Sequence, residues 1–211
     1  MNKKEIVKTL KESVIQYKEN LKDKNFIIVY MDKNKIKFIE ILFLARNFMH
    51  LTGVKCNDKN GKCIMKANQF YQACLNNKLS YKDIIIKQDG TTELKLAILS
   101  QLINVSRNFK MIGKYNNYKN KLVTEILLGN INMCLGLTKN TSLYYVPNTL
   151  LKEDIRKIVI KPYPIVAVLK KNLEDKKYKR IIYMSKKIDI NIINDNIELS
   201  KKINIKINSN L

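Results

Sequence analysis

The residue best suited to proton chemistry is His50, the only histidine in this chain of 211 residues. Its imidazole has an unperturbed pKa near neutrality, so it can accept or donate a proton at physiological pH. It lies in the run NFMHLTG over residues 47–53, beside an amide, a hydroxyl and a glycine. We interpret His50 as a candidate general acid or base. The alternative is a buried ring whose nitrogens bond backbone groups.

The charge of the chain suggests what such a base would act on. The sequence contains 40 Lys and Arg against 18 Asp and Glu, a formal net charge of +22. Polyanions are the natural partners of such a charge, which favours RNA or a nucleoprotein complex. An AT-biased coding composition, rich in Lys, Asn and Ile, is the competing explanation. RNA cleavage needs a base for the 2′-hydroxyl, an acid for the leaving oxygen and cations for the phosphorane.

A single histidine leaves one of those proton-transfer roles to another side chain. Tyr71, Tyr115, Tyr145 or a lysine are the candidates. Lys95 lies near the start of a predicted helix, where the helix dipole disfavours a cation. This position suggests a functional role for Lys95, although a solvated lysine on a polar helix face is the simpler alternative.

Other polar residues can likewise be interpreted either as functional or as structural. Asn47 and Thr52 are placed to orient the imidazole or to bind phosphate, but a threonine before glycine also ends helices. The pair Tyr144-Tyr145 is of the kind that stacks on RNA bases, or that places one ring in the core.

Motifs for metals and cofactors are missing from the sequence. It has no D-x-D, H-x-H or H-E-x-x-H motif, and its six glycines are spread singly rather than in a phosphate-binding loop. We therefore expect neither a metal nor a cofactor. Cys56 and Cys63 enclose a polar turn and would pair only under oxidising conditions, so free thiols are expected.

Hydropathy argues against a membrane partner. The longest apolar runs, 26–31 and 36–44, are too short or too interrupted to cross a bilayer. Residues 1–25 are a charged amphipathic segment without the continuous apolar core of a signal peptide. We expect a cytoplasmic protein.

The elements that must position these residues follow from hydrophobic periodicity. Helical spacing predicts an amphipathic helix over 3–22, and a β-branched run predicts a buried strand over 26–30, joined as a hairpin to a second strand at 36–40. Helices are then predicted over 42–51, which carries His50, over 67–76, and after a cap at Thr91 or Thr92. The last has an apolar stripe of Leu94, Ile98, Leu102 and Val105.

The second half of the chain is predicted to form several short antiparallel strands. Apolar runs at 111–115, 122–128, 133–137, 142–146, 165–169 and 180–184 are separated by Gly, Asn and polar turns. Helices followed by strands predict an α+β fold, with N-terminal helices packed on a small antiparallel sheet. Alternating Ile188, Ile190 and Ile192 predict either an edge strand or a loosely ordered tail.

An ordered series of motifs resembles a known family. The series begins with Phe43-x3-Asn47-Phe48-x-His50-Leu51-Thr52-Gly53 and Phe70-Tyr71-x2-Cys74-Leu75. It continues with Thr92-x2-Lys95, Ile112-Gly113-x-Tyr115, Leu122-Val123-Thr124 and Tyr145-Val146-Pro147-Asn148-Thr149-Leu150. Together these resemble the fourth type of the phage barnase–EndoU–colicin–RelE-like nuclease domains.

The resemblance implies a metal-independent ribonuclease or ribonuclease-like toxin of phage or mobile-element origin. It assigns catalysis to His50, Thr52, Lys95, Thr124 and Tyr145. Apart from the resemblance, we expect Asn47, Tyr71 and Tyr115 to be RNA contacts. An amphipathic helix at 1–24 would precede a nuclease-like domain at 25–186 and a basic tail at 187–211. An acidic antitoxin-like protein is a further expected partner. The alternative function is a non-catalytic phage inhibitor, for example of an RNA-guided host defence.

Overall fold

The computed structural model describes residues 1–57, 64–87, 89–117, 122–140, 144–186 and 188–204. Cys63 lies outside this set, and so does part of the predicted strand at 142–146. Cys56, Cys74 and Cys134 are buried free thiols. Burial raises the pKa of Cys56 and Cys134 to about 12, so both are protonated at neutral pH.

The N-terminal elements follow the sequence pattern closely. Helix α1 (Lys3–Asn20) begins with a capping box between Asn2 and Glu5 and buries one apolar face. Strands β1 (Lys24–Asp32) and β2 (Lys35–Phe43) form the predicted antiparallel hairpin. Helix α2 (Asn47–Thr52) then carries His50. It starts later than predicted because β2 continues to Phe43.

The remaining elements come in short segments. The helices are α3 (Ala67–Leu75), α4 (Thr91–Leu102), α5 (Val105–Asn108), α6 (Ile155–Ile158), α7 (Ile190–Asn194) and α8 (Ile197–Ser200), with a 3₁₀ turn at Tyr81–Asp83. The strands are β3 (Lys55–Cys56), β4 (Ile84–Ile85), β5 (Met111–Lys114), β6 (Ile126–Gly129), β7 (Cys134–Lys139), β8 (Tyr145–Leu151), β9 (Tyr163–Asn172) and β10 (Arg180–Met184).

The main sheet closes on itself, and this overturns the predicted fold. Its strand order is β1-β2-β8-β7-β6-β5-β9-β10, and β1 also pairs with β9. Seven strands therefore form a closed barrel, with β10 paired to the outer edge of β9. The prediction of N-terminal helices packed on a small antiparallel sheet is therefore wrong. Closure is possible because β9 is ten residues long and uses both edges, pairing with β1 on one and with β5 and β10 on the other.

Burial explains why β1 is apolar at every central position. Phe26 and Ile28 contribute to a large cluster shared with helices α1 to α4, whereas Ile27 and Val29 face a second cluster that contains Ile193 of α7. Successive strand residues point to opposite faces, so a strand covered on both sides reads as a continuous hydrophobic run.

The C-terminal segment is helical where an edge strand was one prediction. Residues Ile190–Asn194 form α7, and Ile193, Leu199 and Ile203 are buried in the outer cluster beside β1 and β9. Asp189 caps a helix by accepting from the Asn191 amide, and in that helix Ile193 is buried while Ile192 is 44% exposed.

Candidate functional site

His50 lies on the exposed side of the short helix α2. Asn47 fixes this helix in place, because its side-chain amide donates to the Pro147 carbonyl (2.8 Å) and its oxygen accepts from the Leu44 amide (2.8 Å). The helix thus lies beside β8, which presents Thr149 to the same region. His50 is exposed as a residue, and part of its ring is shielded from solvent.

Lys95 of α4 reaches into this region from the opposite side. Its Nζ donates to the His50 carbonyl (3.1 Å) and to Thr149 Oγ1 (2.8 Å). The His50 carbonyl lies in the last turn of α2, where backbone acceptors lack helical partners, so the ammonium also caps that helix. Gly53 ends α2 with φ of 68°, and a Cβ there would lie 2.8 Å from Lys95 Cδ. Glycine therefore gives both the left-handed turn and the room for the lysine.

The electrostatics of the pair favour proton transfer near neutral pH. The pKa of Lys95 is lowered to about 8, mainly by burial and also by the charge of Lys87, while Asp89 opposes the change. Burial also lowers the pKa of His50 below its usual value, and the charges of Lys95 and Lys87 add to that effect. His50 is therefore mainly neutral at pH 7 and Lys95 mainly charged.

Two threonines complete the cluster through a close approach of strands. Thr149 pairs with Gly136 of β7. A Cβ on Gly136 would lie 2.6 Å from Thr149 Cγ2 and 2.8 Å from Thr124 Oγ1, so the glycine lets both threonines converge. The Thr124 hydroxyl is buried and has no hydrogen-bond partner in the structure. We call His50, Lys95, Thr124 and Thr149 the His50–Lys95 site.

The other two predicted catalytic residues have different roles. Thr52 is buried, donates to the Met49 carbonyl and accepts from the Val54 amide, so its hydroxyl closes the end of α2. Tyr145 lies four residues before Thr149 on β8, roughly 13 Å along a strand. Its ring lines a separate cavity with Tyr30 and Tyr163 at one end of the barrel.

The three predicted RNA contacts are all buried. Asn47 is 4% exposed, Tyr71 0% and Tyr115 3%. Asn47 holds α2 against β8, and the Tyr71 ring packs among Tyr17 and Phe48 in the core. None of the three presents a free face to a base, so they take no part in the proposal below.

Sequence reasoning missed Thr149 and Lys87 as members of this region. Thr149 is in the motif series quoted above, but nothing in that series distinguishes it from its neighbours in β8. Its partner Lys95 is 54 residues away in sequence, and only the folded arrangement brings the two together. Lys87 lies in an irregular segment before α4, without a periodic pattern to assign its direction.

Other functional classes leave little trace in the described part of the chain. Within those residues, no three His, Cys, Asp or Glu side chains lie close enough to hold a metal ion. None of the described helices combines the length and the apolar character that crossing a membrane requires.

Comparison with known proteins gives one match. The model of the family described as phage-Barnase-EndoU-ColicinE5/D-RelE like nuclease 4 matches residues 9–187, most of the chain. Neither a curated protein nor a solved structure matches significantly. The family match includes all four residues of the His50–Lys95 site.

Proposed function

The chain belongs to the phage-Barnase-EndoU-ColicinE5/D-RelE like nuclease 4 family, and from that premise we propose that it is a metal-independent ribonuclease acting through His50 and Lys95. The family indicates a nuclease-like protein. The choice of RNA rests on the chemistry of the site, since an imidazole and an ammonium can use the 2′-hydroxyl of RNA as an internal nucleophile.

The proposed reaction needs two proton transfers and no added water. Neutral His50 takes the proton from the 2′-hydroxyl, and O2′ forms a bond to phosphorus. The bond from phosphorus to O5′ breaks, and the Lys95 ammonium gives a proton to the departing O5′. The products are a 2′,3′-cyclic phosphate and a 5′-hydroxyl. Thr149 is 4% exposed and accepts from Lys95, so it positions the ammonium and does not itself contact the phosphate.

One observation carries this proposal above the others. The Lys95 ammonium is held by two neutral oxygens, the His50 backbone carbonyl at 3.1 Å and Thr149 Oγ1 at 2.8 Å, and its charge acts on the imidazole of the same His50. A cation that is partly buried without a carboxylate partner is costly, and it retains the ability to neutralise a phosphate. A lysine with only a structural role would more commonly be solvated or ion-paired.

The test is cleavage of a mixed RNA pool with EDTA present. We expect wild-type protein to produce 2′,3′-cyclic phosphate ends, and His50→Ala to lose activity about 10²–10⁴-fold, the usual contribution of a general base. Because His50 is exposed, the variant should keep its circular dichroism spectrum and unfolding midpoint. Lys8→Gln, on the exposed face of α1, is the control for a simple change of surface charge. Cleavage that requires added Mg²⁺ would contradict the proposal.

We further propose that such activity serves a toxin-like phage or mobile-element protein, inhibited by an acidic partner that covers the basic site. The second candidate is a non-catalytic protein that binds RNA or a nucleoprotein, for example a host RNA-guided defence complex. The formal charge of +22 favours it, since it exceeds what a four-residue site needs. Salt-sensitive RNA binding that survives His50→Ala, without turnover by wild type, would select this candidate.

A further inference from the structure

A cavity just beyond the C-terminal end of α4 is lined by three cations and by no carboxylate. Its volume is about 490 Å³, and Arg107, Lys170 and Arg180 line it together with the amides of Asn20 and Asn104. The other lining residues are apolar. The Asn104 side chain makes no capping hydrogen bond to α5.

The distribution of arginine makes this grouping unusual for the chain. Only four of the 40 basic residues are arginines, and two of the four line this one cavity from separate elements, α5 and β10. Of the other two, Arg156 is bound to the carboxylate of Asp154 and Arg46 to the side chain of Asn140. A guanidinium offers a planar set of donors that matches two phosphate oxygens at once, which a lysine cannot do.

No carboxylate among the described residues offsets the charge repulsion within the cavity, although Lys170 Nζ lies 5.5 Å from the centre of the Phe26 ring. Lys170 is half-buried, and its pKa is lowered first by burial and then by the charges of Lys24 and Arg180. Neither Arg107 nor Arg180 has a carboxylate partner among the residues that the structure describes. A smaller cavity of about 160 Å³ shares Lys170 and Arg180, and Asp175 is the one acidic residue that lines it. An anion entering the larger cavity would therefore meet three cations.

The position of the cavity relates it to the His50–Lys95 site. Lys95 lies seven residues before the end of α4 at Leu102, about 10 Å along the helix axis, and Arg107 follows in α5. One phosphate group cannot contact both places. A strand with several phosphates can.

We propose that the cavity lined by Arg107, Lys170 and Arg180 binds a backbone phosphate of the RNA strand whose cleavage takes place at His50 and Lys95. This inference rests on the proposed ribonuclease function. It adds a second, sequence-independent subsite that makes the enzyme favour strands long enough to reach both places, since phosphate contacts position a strand without reading its bases.

The experiment compares two substrates and two double variants. Arg107→Gln/Arg180→Gln removes both exposed guanidiniums, and Lys8→Gln/Lys201→Gln removes two exposed charges elsewhere. A dinucleoside monophosphate has one phosphate and can occupy only the reacting site. For a 12-nucleotide strand we expect the arginine variant to raise KM about tenfold with kcat unchanged. For the dinucleotide we expect no change, and the lysine control should leave both substrates unaffected.

A binding measurement separates this proposal from the ribonuclease proposal. In the His50→Ala background, the anisotropy of a labelled 12-mer reports affinity without cleavage. Loss of contact with one phosphate should reduce the slope of log K against log salt by about 0.7. Three results would overturn the subsite proposal. The lysine control could weaken RNA binding as much as the arginine variant does, the arginine variant could affect both substrates equally, or the salt slope could stay unchanged. The subsite proposal would also be overturned if pyrophosphate bound the wild type but not the arginine variant while both proteins bound RNA with the same affinity. A wild type that binds RNA with this slope but never cleaves it would overturn the ribonuclease proposal and leave the phosphate contact standing.

Discussion

At the scale of single residues, the arrangement of His50 and Lys95 links their two protonation states. The Lys95 charge lowers the pKa of His50, and burial lowers that of Lys95 to about 8. The two groups therefore share a pH window in which the imidazole is neutral and the ammonium is charged. A general base and a general acid need these two states together.

This window predicts a bell-shaped pH profile. Activity should rise as His50 loses its proton below its usual pKa of 6.5 and fall as Lys95 loses its proton near pH 8. Lys95→Gln should lower the rate about 10²–10⁴-fold, remove the alkaline limb and move the acid limb to higher pH, because the lowering charge is gone. The measurement is the initial rate on one oligonucleotide across the pH range.

Lys87→Gln is the matched control for this profile. Lys87 lowers the pKa of both groups but makes no hydrogen bond to the His50 carbonyl or to Thr149 in the structure. We expect both limbs to move slightly to higher pH, with the maximal rate retained. An alkaline limb that persists in Lys95→Gln would assign it to another group.

At the scale of elements, the site depends on strands β7 and β8 approaching at a glycine. Local periodicity predicted α1, the β1–β2 hairpin, α3 and α4, because the spacing of apolar residues within each element shows which of its faces is buried. The predicted apolar stripe of α4 is wrong at Leu94, which is 50% exposed, whereas Leu96, outside that stripe, is buried. It also gave no reason for Tyr145 and Thr149 to serve different regions, which follows from β8 skipping Asn148 in its register with β7.

Gly136→Ala should therefore damage the site more than the fold. The added methyl would lie 2.6 Å from Thr149 Cγ2, at a cost of about 1–3 kcal/mol in stability if the strands give way. Displacement of Thr149 from Lys95 should lower kcat more than tenfold. Measurement of kcat and of the urea midpoint separates the two effects.

Thr149→Ser in the same chain provides the control. Serine lacks the clashing Cγ2 but keeps the hydroxyl that accepts from Lys95, so Gly136→Ala/Thr149→Ser should recover part of the lost kcat. A fully active Gly136→Ala variant would show that turnover does not depend on the position of Thr149 next to Lys95.

At the scale of the whole molecule, a buried polar network fastens the C-terminal segment to the barrel. Glu40 of β2 accepts from the Tyr178 hydroxyl (3.1 Å) and pairs with Lys202 (2.5 Å). Tyr178 also exchanges backbone hydrogen bonds with Lys202 and Asn204. A carboxylate, a phenol and an ammonium that are distant in sequence thus hold β2, the segment before β10 and residues after α8 together.

Tyr178→Phe should destabilise the protein by about 1.5–3 kcal/mol, because a buried carboxylate loses one of its donors. The urea midpoint should fall while the kcat of the folded protein is unchanged, since Tyr178 is not part of the His50–Lys95 site. Tyr81→Phe is the matched control, since its ring is 44% exposed and should change stability little. Equal midpoints for the two variants would mean that the network adds nothing to stability.

Closure of the barrel also depends on a strand that is synthesised late. Lys24 pairs with Asn172, so one edge of β1 stays uncovered until almost the whole matched region has been synthesised. A nascent chain that stalls earlier carries an open, apolar strand edge, the kind of surface that recruits chaperones or aggregates. Translation arrest before Asn172 thus yields a product that cannot assemble the ring, even though His50, Lys95 and Thr149 have already been made.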